Sequence, residues 1–104
     1  MADQNSDLGA ERNNDLVRVQ AYVSGLVQGV GFRWFVERSG KQMKLSGWVR
    51  NLPDGCVELE VEGPEFKVEA FLEEVGRGPI SSRVDSVSTS ERPVTGESGY
   101  RIRS

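Results

Sequence analysis

The 104-residue chain contains no histidine and a single cysteine, and each shortage removes a class of chemistry. Without imidazole it lacks the commonest general base, a histidine-activated serine or cysteine nucleophile, and the usual nitrogen ligand of zinc. Any catalysis must therefore work without a histidine. A lone thiol, Cys56, allows no intramolecular disulfide and suits a reducing compartment, so the cytoplasm is the expected location. Apolar runs are only a few residues long, giving neither a membrane span nor the apolar core of a secretory signal. Basic residues are not in excess either. With 13 Lys and Arg against 16 Asp and Glu, the net charge of -3 carries no electrostatic footprint for nucleic acid or an anionic membrane. Neither is expected as a partner.

What is present suffices for one domain with a modest core, stable without metal or disulfide and expected to be a monomer. Residues 1–15 are mostly polar and bury too little to offset ordering entropy, so they read as a tail before a domain over 16–104. From Val17 the pattern alternates: Val17, Val19, Ala21 and Val23 lie on one face, Arg18, Gln20, Tyr22 and Ser24 on the other. A helix follows from Phe32 to about Lys44, with Phe32, Phe35, Val36, Ser39, Gly40 and Met43 as its packing face. The small residues in that face let helix and sheet approach closely.

Strands are expected over Ser46 to Asn51 and Val57 to Val61, joined by the turn Leu52-Pro53-Asp54-Gly55. Glu58, Glu60 and Glu62 alternate with the apolar residues and are expected to face water rather than a metal. Gly63-Pro64-Glu65 opens a second helix with Val68, Phe71, Leu72 and Val75 as its stripe and Gly76 as its terminator. Strands close the chain over Arg83 to about Arg92 and Tyr100 to Arg103, with Val84 and Val87 breaking the period of two, a sign of a bulge or an uncertain register. The order β-α-β-β-α-β predicts an α+β, ferredoxin-like sandwich whose mixed, mostly antiparallel sheet carries both helices on one face.

The run from Gly25 to Arg33 joins the first strand to the first helix through glycines. Gly29 and Gly31 allow consecutive amide N–H groups to point at one oxyanion, and the helix N-terminus adds partial positive charge. Arg33 adds a planar fork that suits phosphate. Gln28, Gly29, Val30, Gly31, Phe32 and Arg33 thus form a candidate anion cradle. A crossover helix makes strands one and two run in the same direction, so Asn51 ends up at the same end of the sheet as this loop. Arg33 and Asn51 are candidates for one site. Cys56 reads as a small packed or turn residue, Trp48, Phe32 and Phe35 as core, and Trp34 as a partly exposed aromatic.

Gly25-Leu26-Val27-Gln28-Gly29-Val30-Gly31-Phe32-Arg33 follows the signature G-x-V-Q-G-V-G-F-R, and Gly47 to Val57 follows G-W-V-x-N-x-x-x-G-x-V. Both belong to the acylphosphatases, which the chain resembles over roughly Val17 to Arg103. The resemblance implies hydrolysis of a small-molecule acyl phosphate to carboxylate and inorganic phosphate, with no cofactor and no metal. It also implies that Arg33 binds the phosphate while Asn51 positions the attacking water. Two alternatives share the topology. A noncatalytic anion-binding or interaction module differs only in lacking turnover. An RRM-type RNA binder needs stacking aromatics on its third strand, where this chain has glutamates.

Overall fold

The computed structural model describes residues 15–104, so the expected tail falls outside it except for Asp15. Asp15 is already tied down, its carbonyl accepting the Glu65 N–H at 3.0 Å. The elements are β1 (Leu16–Leu26), α1 (Phe32–Gln42), β2 (Ser46–Asn51), β3 (Val57–Pro64), α2 (Glu65–Arg77), β4 (Arg83–Arg92) and β5 (Tyr100–Ile102). They follow the expected order, and the sheet runs β4-β1-β3-β2-β5. β3 lies between β1 and β2 and is antiparallel to both, so those two strands share one direction. One row of the ladder reads Val23, Val57, Asn51. The end of β1 and the end of β2 therefore emerge side by side.

Alternation buries Ala21, Val23, Val49, Val57, Leu59 and Val61 beneath the two helices, which contribute Phe32, Val36, Val68, Phe71 and Val75 to the same core. Gly40 lets α1 lie close to the sheet: a Cβ there would stand 2.6 Å from the Tyr100 ring. That ring is held in turn, since its hydroxyl donates to the carbonyls of Trp48 (3.1 Å) and Glu60 (2.8 Å). Boundaries shift slightly from expectation. α1 stops at Gln42 because Lys44 turns to φ 59, and α2 runs past Gly76 to Arg77 before Gly78 ends it at φ 66. The expected bulge is real, with Ser24 opposite Ser86 but Gly25 opposite Val84, leaving Asp85 as the extra residue. No helix among the described residues is long and apolar enough to cross a membrane.

The glutamate row requires a correction. Glu58 and Glu62 are buried and Glu60 only partly exposed, although all three lie on the expected face. Long side chains lying across the sheet cover one another there. Arg18, itself 2% exposed, donates to both Glu60 and Glu62, while Gln20 and Arg50 donate to Glu58 at 2.9 and 2.8 Å. The segment between β4 and β5 completes the cover, with the N–H groups of Thr95 and Gly96 landing on the Glu62 carboxylate at 2.8 and 3.0 Å. Trp48 is buried as expected, under the guanidinium groups of Arg50 (5.5 Å) and Arg103 (4.5 Å).

Burial alone would raise the Glu62 carboxyl, but the Thr95 N–H, the Arg18 guanidinium and the Gly96 N–H outweigh it and hold the carboxyl below its ordinary 4.5. Its contribution to stability is thus complete above that value and is lost as pH falls through the depressed one. Glu62→Gln removes one of the three carboxylate partners of the buried Arg18, which keeps Glu60 and Glu97, and should cost about 1–3 kcal/mol. Denaturant titrations at pH 7 and pH 3 should show the variant weaker at pH 7 and less acid-sensitive than the parent. Equal acid sensitivity in both proteins would contradict this account of Glu62.

Candidate active site

β1 delivers the chain to a loop whose shape depends on two glycines. Gly29 (φ 74) and Gly31 (φ 80) occupy the left-handed region, where a side chain would be strained. Neither is crowded, since a Cβ at either position would meet nothing within 4 Å. The glycines serve backbone conformation, and the space beside them is open. Gly31 caps α1 without any side-chain hydrogen bond, and the first helical bond runs from Phe35 N–H to Gly31 carbonyl at 3.0 Å. The N–H groups of Phe32, Arg33 and Trp34 therefore have no partner within the helix.

Charge at this helix end is inverted relative to ordinary practice. The first turn of α1 holds no acidic residue and instead carries Arg33. A cation beside the positive end of a helix dipole is unfavourable by roughly 0.3–1 kcal/mol. Arg33 is half-buried and, among the described residues, makes no salt bridge or side-chain hydrogen bond that offsets this. An anion at the loop would relieve both the dipole and the guanidinium. Gly29, Gly31 and Arg33 line one side of a cleft of about 150 Å³, over the buried Val27 and Phe32. Trp34 and Ile102 line the rest.

The neighbouring turn is bonded to this loop. Gln28 donates its side-chain amide to two carbonyls, Leu52 and Cys56, each at 2.8 Å. Those residues close the β2–β3 turn, where Leu52 N–H reaches Cys56 carbonyl (2.8 Å) and the Asp54 side chain accepts Cys56 N–H (2.9 Å). On the opposite flank, the Ser81 hydroxyl donates to Val30 carbonyl at 2.8 Å. Asn51 is the residue just before the strapped turn, and by strand alternation it shares the helix-facing side with Val49. Its Oδ1 is buried and no donor among the described residues reaches it. The acceptor is thus enclosed and carries no hydrogen bond from the described residues.

The structure places Gly29, Gly31 and Arg33 on one cleft and ties Gln28 to the turn after Asn51, while Asn51 itself is not among the residues lining that cleft and makes no direct bond to Arg33. Gln28 has a part that the cradle expectation, built on backbone amides, did not include, because its carboxamide is committed to the turn. Ser81 and Ile102 were not legible as site residues. Ser81 carries no sequence signal, whereas Ile102 shares strand parity with the buried Tyr100. Cys56 is only partly buried, and burial followed by the Asp54 carboxylate pushes its thiol above the ordinary 9.0, away from a reactive thiolate.

The acylphosphatase family profile matches residues 19–102, a span containing the loop, the Asn51 turn and Ile102. An acylphosphatase of Moorella thermoacetica is 48% identical over 89 residues, covering 86% of this chain and 96% of that protein. The crystal structure of acylphosphatase from Bacillus subtilis superimposes with a TM-score of 0.82 at 40% identity, covering 85% of this chain and 99% of that one. An acylphosphatase from Coxiella burnetii gives the same TM-score at 35% identity, covering 89% and 96%. Matched in sequence over nearly the whole described domain and in fold from first strand to last, this chain belongs to the acylphosphatase family.

Proposed function

We propose that the acyl phosphate hydrolysis performed by this acylphosphatase takes place in the cleft at the start of α1, with Arg33 and the loop amides binding the phosphoryl group and Asn51 orienting water. The observation that carries this reading is the pairing of an uncapped, glycine-shaped helix N-terminus holding an arginine with a buried amide oxygen next to the strapped turn, both without a side-chain partner among the described residues. An acyl phosphate is a mixed anhydride whose carboxylate leaves readily, so positioning and charge stabilisation supply most of what catalysis needs.

Arg33 and the free N–H groups from Gly29 to Arg33 hold the nonbridging phosphoryl oxygens and neutralise charge that builds on them. Asn51 Oδ1 accepts a hydrogen bond from water and holds its oxygen in line with the P–O bond to the acyl group. Water oxygen bonds to phosphorus as that P–O bond breaks, the carboxylate departs with the bonding pair, and a phosphate oxygen takes the proton. No histidine is required at any step. A monomer at work in the cytoplasm belongs to the same reading, supported by a single thiol that allows no intramolecular disulfide.

Benzoyl phosphate hydrolysis, followed with chelator present and with folding checked by circular dichroism, separates the two roles. Arg33→Ala should lose roughly a hundredfold or more in kcat/KM and should also lose inhibition by phosphate. Asn51→Ala should keep KM and phosphate inhibition while kcat falls by a similar factor. Turnover near the parental rate in the folded Asn51 variant would remove that residue from the mechanism.

Gln28→Ala tests the strap. Losing its two bonds should cost about 1–3 kcal/mol in urea unfolding. It should also lower kcat more than it weakens phosphate inhibition, because the cradle survives while the Asn51 turn loses its register. An unchanged kcat in this variant would show that sheet geometry alone aligns the site.

A further inference from the structure

The cradle accounts for only part of the cleft, since the rest of the lining is apolar and comes from two distant parts of the chain. Trp34 follows Arg33 on α1 and is 57% exposed, while Ile102 arrives on β5 and is 38% exposed. Neither position is explained by the core, and phosphate binding has no use for an indole.

Both side chains are held on rigid elements. Arg38, one helical turn after Trp34, places its guanidinium carbon 5.1 Å from the indole centroid, a cation–π contact that restrains the ring. Ile102 pairs with Val49 in the parallel register of β5 and β2. The bond from Arg103 N–H to Val49 carbonyl (2.8 Å) and the buried Tyr100 hydroxyl fix that strand on either side of it. A preorganised apolar pair beside an anion cradle is the usual composition of a small-molecule site.

In an acyl phosphate one bridging oxygen separates phosphorus from the acyl carbon. A phosphoryl group seated on Gly29 to Arg33 therefore leaves its acyl group in this same cleft, against whatever lines the remainder. Arg33 is the one charged side chain lining the cleft among the described residues, so no carboxylate or carboxamide side chain faces a polar acyl group there.

We propose that Trp34 and Ile102 form the acyl-group subsite and make this enzyme selective for acyl phosphates with aromatic or large apolar acyl groups. Acetyl-sized and carboxylate-bearing acyl phosphates are disfavoured. The inference rests on the cradle assignment above and adds the substrate class to it.

The test is kcat/KM for benzoyl, acetyl and succinyl phosphate in the parent, Trp34→Ala, Trp34→Phe and Ile102→Ala, with inhibition by inorganic phosphate as an independent reading of the cradle. The parent should prefer benzoyl phosphate. Trp34→Ala and Ile102→Ala should each lower the benzoyl-to-acetyl ratio about tenfold, within the range set by small apolar contacts, with phosphate inhibition at the parental value. Trp34→Phe should recover most of that ratio. A parental preference for acetyl or succinyl phosphate, or equal losses on all three substrates, would overturn the subsite while sparing the cradle. If Arg33→Ala left phosphate inhibition intact, the cradle would be misassigned and the subsite would fall with it.

Discussion

The side-chain amide of Gln28 is the contact on which the arrangement of the site depends, because it bonds the loop at the start of α1 to both ends of the turn after Asn51. The sheet supplies the coarse placement by setting β1 and β2 on either side of β3 and aligning Val23, Val57 and Asn51 in one row. Neighbouring strand ends fix position only to within a loop's freedom. A carboxamide shared by two carbonyls removes that freedom, at the scale on which a misplaced water costs rate. Ser81 does the same from the other flank, holding Val30 carbonyl away from the segment whose N–H groups are needed.

Two arginines show how one residue type is used in opposite ways. Arg18 is buried and fully engaged with Glu60, Glu62 and Glu97, a network that ties the segment before β5 to the centre of the sheet. Its charge is spent on structure. Arg33 sits at the positive end of a helix with no carboxylate partner among the described residues, an arrangement that costs stability until an anion arrives. The molecule thus satisfies its buried charge at one end and leaves charge unsatisfied at the other. On the proposed reading, an anion binds favourably at the second place because folding left it uncompensated.

Most of the fold was legible because period-two and period-3.6 patterns are local. The apolar faces of β1, β3, α1 and α2, the β4 bulge and the close approach at Gly40 all follow from residue spacing and size. Exposure was not legible on the second face of the sheet. Alternation assigns Glu58, Glu60 and Glu62 to a side but says nothing of what covers it, and here the cover is Arg18 across the ladder and Thr95 from beyond β4. At the site, the glycines and Arg33 were readable from backbone needs and charge. The strapping role of Gln28 and the presence of Ile102 depend on tertiary neighbours, which no local pattern encodes.

A titration of the isotopically labelled protein with inorganic phosphate, followed residue by residue through its amide NMR signals, tests the central claim most directly. The account predicts that the largest shifts fall on the backbone amides from Gly29 to Trp34 and on the Asn51 side chain, saturating together with one affinity. Shifts that cluster instead around Arg18, Arg50 or Arg103, with the loop unmoved, would place the anion elsewhere and contradict it.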